Sequence, residues 1–519
     1  IRPSIKESGR VDDRRYHPPV RYLRMFSNAI VSGGLGAAYL GVVFLQLNPG
    51  VPLFPINLFP LLVTLSVAYG IHLSALFYAA MVLREILAFD RFSPGWLSLR
   101  TLSWLFTLDA VGAAALMWLN LGAYGPVLAP DAARRMAVGA VVVTGCAVVF
   151  LFVGVFRYSF GRRRGALGSS VLALTLAASL ALPLVLRGPG APRPLASRLL
   201  DLDIGLAPPA PGPRILLILL DGASLDFVSS AALEGKLPNF GKILDSGAAM
   251  HLATVRPTHP GPVWTTVATG KLPWKTGVRS SARYEVPAAP DHLELLPDGC
   301  FAHGLVRLGF LDTASHSAAS LRVRPLWSIL SSAGVSVGVV NWPLTHPVQP
   351  TRGYLVSDQF YRPGDQSLEP DDPTAIYPAE ALATARAAGD AVIQEPLGRM
   401  QAFQLPRWDA LADMLPRQTS LLDRMYDRIS HTLQARSRPR FATVRFRGLD
   451  VAGHVFLRFA LPREFGDVTA DERRKYGRVL EGAYVGVDDM VGLALASLES
   501  DDLLLVVSGF GMEPMSVGK

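Results

Sequence analysis

In the first third of the chain, apolar residues run together instead of alternating with polar ones. Five stretches stand out, at roughly 25–47, 57–83, 101–122, 136–156 and 167–186. Each is close to the ~20 residues that a helix needs to cross a hydrocarbon core. Buried core helices of a soluble protein are the alternative, but five nearly uncharged runs in succession speak against it. A cleavable signal peptide would need only one such run. The pattern predicts an all-α bundle of about five transmembrane helices over residues 25–186.

The pattern then changes twice. Residues 187–213 (RGPGAPRPLASRLLDLDIGLAPPAPGP) are dominated by Pro, Gly and Ala and read as a semi-rigid linker. Beyond it come short apolar runs suited to strands buried on both faces of a sheet, at 214–220, 336–341, 440–446 and 502–508. Between them lie helix-like segments at 237–247, 264–269, 325–334, 408–435 and 471–498. Strands alternating with helices predict an α/β domain over 214–519, built on a mainly parallel sheet with flanking helices. The Pro/Asp-rich stretches 285–300 and 360–376 read as surface insertions.

Charge adds an orientation. Of 519 residues, half are hydrophobic, and the formal net charge of +8 is unevenly placed. Residues 1–187 carry 17 Lys/Arg against 7 Asp/Glu, whereas residues 188–519 carry 33 against 35. A soluble domain without a basic excess is not expected to bind nucleic acid. The tail 1–24 is basic (Arg2, Lys6, Arg10, Arg14, Arg15, Arg21, Arg24), as are the loops holding Arg84, Arg91 and Arg100, and Arg157 and Arg162–Arg164. The intervening loop 48–56 has no charge, and loop 123–135 has only Asp131, Arg134 and Arg135. Positive charge on alternate loops predicts a cytoplasmic N-terminus and, after an odd number of crossings, an extracytoplasmic soluble domain. Asp109 lies inside the third run, either as a functional acid or as one paired within the bundle. The two cysteines, Cys146 and Cys300, fall in different regions and are not expected to pair. A chain opening on Ile1 and stopping at Lys519, just after a strand pattern, reads as a piece of a longer protein.

In open parallel sheets, ligands bind beyond the carboxyl ends of the strands. Asp221 ends the first strand, Asp450 and His454 follow the third, and Ser508-Gly-Phe-Gly-Met-Glu513 follows the last. A carboxylate with an Asp-x-x-x-His pair suits a divalent cation such as Zn²⁺ or Mn²⁺. The same spacing is also that of a surface pair or a cap. In TVRPTHPGPVWTTVATGKLPWKTG (254–277), prolines and a glycine lead into a helix expected to start near Trp264, whose N-terminus would favour phosphate. Thr258 in that lead-in is a candidate nucleophile.

These segments carry a family resemblance. Leu219-Leu-Asp-Gly222, Leu237-Pro-Asn-Phe240, Trp264-Thr-Thr-Val-Ala-Thr-Gly270, Val339-Val-Asn-Trp-Pro343 and Gly448-Leu-Asp-Val-Ala-Gly-His454 occur in the family's order. Together they resemble the type I phosphodiesterase/nucleotide pyrophosphatase branch of the alkaline phosphatase superfamily, over about residues 213–519. The resemblance implies an alkaline phosphatase-like fold in which two metal ions clamp a phosphate ester for a Thr or Ser nucleophile. It implies metal ligation by Asp221, Asp450 and His454, and substrate binding by Asn341. Two departures are visible. Pro260 stands where the family's nucleophile is expected, four residues before Trp264, leaving Thr258 as a displaced candidate. Gly509-Phe510 stands in place of an Asp-His ligand pair, with Glu513 nearby.

The expected function is therefore a membrane-anchored, extracytoplasmic, metal-dependent phosphoesterase with a divergent active site. It would bind one or two Zn²⁺ or Mn²⁺ ions and act on a lipid or nucleotide phosphate ester. The alternatives are a catalytically inactive binding or assembly module of the same fold, or a transferase of phosphoethanolamine or phosphoglycerol headgroups, whose five-helix anchor is similar. A transporter is disfavoured, since no pair of interrupted, repeated helices occurs.

Overall fold

The computed structural model describes residues 18–88, 94–160, 165–190, 212–361, 372–405, 409–413 and 415–514. Most of the basic tail and of the linker, Arg91, Arg162–Arg164 and residues 362–371 lie outside the described residues. The chain divides into two compact units, Ile1–Arg193 with Arg283–Ala314, and Pro194–Ala282 with Ser315–Lys519.

In the helical unit, five helices are long and apolar enough to cross a membrane: Val20–Leu47, Pro55–Leu87, Leu99–Val127, Pro130–Phe156 and Gly168–Arg187. They match the five apolar runs, and several extend a few residues beyond them. Small residues allow close approach. A Cβ at Gly33 in the first helix would fall 2.6 Å from the Gly70 carbonyl oxygen of the second. Asp109 is buried, and its Oδ2 accepts a hydrogen bond from Ser32 Oγ at 2.5 Å.

Residues 283–314 leave the α/β sequence and fold with these helices. Asparagines near helix ends hold them. Asn48 donates to the Leu295 carbonyl at 2.8 Å and accepts from the Glu294 and Leu295 amides at 2.7 and 2.9 Å. Asn120 pairs with both backbone groups of Asp298, at 3.0 and 2.7 Å. Tyr69 donates to the Cys300 carbonyl at 2.9 Å. The segment read as a surface insertion is thus tied into the helical unit by buried polar side chains. Cys146 and Cys300 are both free.

The α/β unit holds a six-stranded sheet. Its strands are β1 Ile215–Leu220, β2 Val337–Trp342, β3 Gly353–Ser357, β4 Ile376–Tyr377, β5 Phe441–Phe446 and β6 Leu503–Ser508, in the order β4-β3-β2-β5-β1-β6. All pairings are parallel except β3 with the two-residue β4. The unbroken apolar run of β1 follows from burial on both faces. Leu216, Ile218 and Leu220 pack into one core, and Leu217 and Leu219 into another with Trp264, Trp327 and Trp342. The helices that matter below are α1 Pro260–Thr269, α2 Leu326–Ser332, α3 Leu415–Ser437, α4 Gly448–Ala460 and α5 Val479–Ala496. α1 begins four residues before the expected start, because Pro260, with no N–H to satisfy and a fixed φ, occupies its first turn. The segment 471–498 is split in two, at Gly477–Arg478.

Candidate functional site

The carboxyl ends of the strands gather a cluster of charges. Leu219 of β1 lies in register with Arg445 of β5, so Asp221, two residues on, faces the same side of the sheet as the Arg445 side chain. Arg445 donates from Nε to Asp221 Oδ1 at 2.9 Å, and its Nη2 donates to Oδ2. Trp264 Nε1 of α1 donates to Oδ1 at 2.8 Å. All three side chains are buried. Burial pulls the Arg445 guanidinium down, but the charge and hydrogen bonds of Asp221, with Asp358 and Asp423 farther off, outweigh it and raise its pKa. This is a two-pronged ion pair of the kind that fixes geometry as well as charge.

Asp450 lies in the first turn of α4, beside Asp221. The turn after β1 passes so close that a Cβ at Gly222, where φ is +76°, would fall 2.7 Å from the Asp450 Cα. Burial, and then the Asp221 charge, raise the Asp450 carboxyl above its usual range. His454 Nε2 stands 3.6 Å from Asp450 Oδ1 on the same helix face, with its ring 71% exposed. From α3, the buried Asp423 accepts the Arg447 and Gly448 amides at 2.9 and 2.6 Å, so it caps the start of α4. Burial pushes its carboxyl up to about 7 despite these bonds.

The remaining expected residues are engaged locally. Asn341 is buried with φ +57°, at the point where the β2–β3 register shifts, and its amide donates to the Arg445 carbonyl at 2.8 Å. It ties β2 to β5 just beyond their last aligned pair, Val340 and Val444. Thr258 is exposed, and its hydroxyl donates to the Val255 carbonyl of its own turn at 3.2 Å. Gly509 lies against α1, where a Cβ would sit 2.7 Å from Val263 Cγ1 and 3.2 Å from the Trp264 ring. Phe510 is buried, with its ring 6.5 Å from that of Trp264. Glu513 is exposed.

Among the described residues, the donors at this sheet edge do not fit a two-ion site. Both Asp221 oxygens accept bonds from Arg445, and a divalent cation there would have to displace a guanidinium of like charge. Asp450 and His454 offer two further donors. Among the described residues, no three His, Cys, Asp or Glu side chains group as metal ligands.

The structure therefore brings Asp221, Asp450 and His454 to one sheet edge, gives Trp264 a direct bond to Asp221, and adds Arg445, Asp358 and Asp423, for which the sequence pattern predicts no role. One signal was available: an arginine inside the apolar run Phe-Ala-Thr-Val-Arg-Phe needs a buried acid as partner.

Residues 215–519 match a protein family described as type I phosphodiesterase / nucleotide pyrophosphatase. No curated protein matches the chain.

Proposed function

Because the chain belongs to the type I phosphodiesterase / nucleotide pyrophosphatase family, we propose that it is a membrane-anchored member whose α/β unit engages phosphate esters without two-ion hydrolysis. One observation carries this reading: the Asp221 carboxylate is closed by Arg445 and Trp264. Clamping an in-line displacement takes two cations, and one of the two positions is filled by a fixed side-chain charge. Glycine and phenylalanine at 509 and 510 support the same reading, because neither side chain can ligate a metal. The basic excess on alternate loops supports an extracytoplasmic α/β unit.

A second reading is favoured by the 3.6 Å Asp450–His454 pair and by the exposure of Thr258. It is a phosphoesterase, or a lipid-headgroup transferase, with Thr258 as nucleophile and one Zn²⁺ or Mn²⁺ at Asp450 and His454. Hydrolysis and transfer differ only in what accepts the phosphoryl group.

The test is turnover of a chromogenic phosphodiester by the full-length protein, with Zn²⁺ or Mn²⁺ and with chelator. The expected result is no chelator-sensitive activity beyond that of Asp450→Ala, with phosphate-ester binding intact. Chelator-sensitive turnover that disappears in both Thr258→Ala and Asp450→Ala would replace the first reading by the second. Orientation is checked separately, by labelling single cysteines placed at loop positions from either side of sealed vesicles.

A further inference from the structure

The α/β unit contains a cavity of about 290 Å³ lying against α2. Its wall is apolar, formed mainly by Leu321, Val323, Trp327, Leu344, Val348 and Leu355. Arg324 also lines it and is exposed, and no described acidic side chain does so.

Two of its walls lead to the charge cluster. The Trp327 ring packs 5.1 Å from that of Trp342, which packs 6.3 Å from that of Trp264, and Trp264 holds Asp221. Thr345, another wall residue, exchanges hydrogen bonds of 3.2–3.3 Å with Asp358. Asp358 is one of the acids acting on Arg445. The cavity is therefore linked to the Asp221 site through three packed indole rings, yet uses none of its charged groups.

We infer that this cavity binds the hydrocarbon chain of a long-chain carboxylate, with the acid group on Arg324. The volume stands at the lower end of the range of about 300–1,000 Å³ usual for small-molecule sites, so it takes one chain and not the two of a bilayer phospholipid. Hydrocarbon gains by leaving water for such a wall. A single cation in a lining that includes no described acid complements one negative headgroup. A chain with five apolar helices, each long enough to cross a membrane, works where such amphiphiles are plentiful. The inference is independent of whether the phosphate-ester site turns over.

The experiment is photo-crosslinking of the full-length protein with a diazirine-bearing long-chain fatty acid, followed by peptide mapping. Label is expected in peptides spanning residues 318–328 and 344–355. Val323→Trp, which fills the cavity, should cut that labelling tenfold or more while labelling of the apolar helices stays constant. Ala319→Phe, at an exposed lining position, makes the same comparison if Val323→Trp fails to fold. Arg324→Glu should reduce labelling only several-fold, because an exposed ion pair adds little to the burial of the chain. The methyl ester should label the parent protein about as weakly as the acid labels Arg324→Glu. Absence of label from the cavity peptides when the apolar helices are labelled overturns the inference. So does labelling that is unchanged in the cavity-filled variant, and an ester that labels as strongly as the acid removes the role of Arg324.

Discussion

Arg445 and Asp221 are 224 residues apart in sequence and form a buried, two-pronged ion pair, with Nε to Oδ1 at 2.9 Å, at the carboxyl edge of the sheet. The pair's energetic worth is read from what happens when one half is lost. Among the described residues, Arg445→Ala leaves the buried carboxylate with the Trp264 indole as its hydrogen-bond donor and should cost about 3–5 kcal/mol. The double variant Asp221→Leu/Arg445→Met should recover most of that loss, less about 1–3 kcal/mol for the orphaned Trp264 N–H. Denaturant unfolding followed by near-UV circular dichroism distinguishes the two; a double-variant loss equal to the sum of the two single-variant losses would show that the pair is not coupled.

Placing a carboxylate at residue 509, where the resemblance implies one, should fail on steric grounds. A side chain at Gly509 meets Val263 at 2.7 Å and the Trp264 ring at 3.2 Å. Gly509→Asp should therefore destabilise the α/β unit by about 1–3 kcal/mol. It should not raise zinc affinity in equilibrium dialysis. A variant of unchanged stability that binds zinc would show that α1 can move aside.

Acid should act through Asp502. Hydrogen bonds from Arg214, at 2.5–3.0 Å, and from the Glu499 amide hold its carboxyl down at about 2. A depressed acid stabilises the fold above its unfolded pKa of about 4, and that contribution is lost as pH falls toward 2. Asp502→Asn should lower stability by on the order of 1 kcal/mol at neutral pH. The gap between variant and parent melting temperatures should stay constant above pH 4 and close near pH 2. A gap that persists at pH 2 would mean that the loss comes from packing and not from charge.

In the helical unit, Asn48 serves both a backbone acceptor and two backbone donors of residues 294–295. Asn48→Leu strands those groups and should cost about 1–3 kcal/mol locally. Hydrogen exchange of amides 291–300 should accelerate well beyond that of the apolar helices. Uniform acceleration across the helices would instead indicate global loosening.

Local pattern was enough for much of this molecule. Five nearly uncharged apolar runs, each about twice the length of a membrane strand, read as helices, because a backbone in an apolar environment must satisfy its own hydrogen bonds. The apolar runs of β1, β2, β5 and β6 read as strands of a parallel sheet because burial on both faces removes alternation. The ordered motifs, from Leu219 to His454, were legible as a family signature. Short β3 and β4 carry no such signal, and the pattern places the start of α1 four residues late, because Pro260 reads as lead-in and is in fact the first turn.

Charge partners were out of reach of any local pattern. Residue types and spacing placed Asp221, Asp450 and His454 at one edge, since strand ends of a parallel sheet must lie together. Which cation sits on Asp221 depends on the register of β1 against β5, and no periodicity within either strand encodes that register. In the same way, the Pro/Asp-rich stretch around 285–300 reads as surface until Asn48 and Asn120, remote in sequence, supply hydrogen bonds for its backbone. The sequence by itself determined the apolar helices, the strands and the family. The tertiary structure alone decided that the Asp221 carboxylate is held by Arg445, because that decision rests on a contact between distant residues in a buried place where an unpaired charge cannot be tolerated.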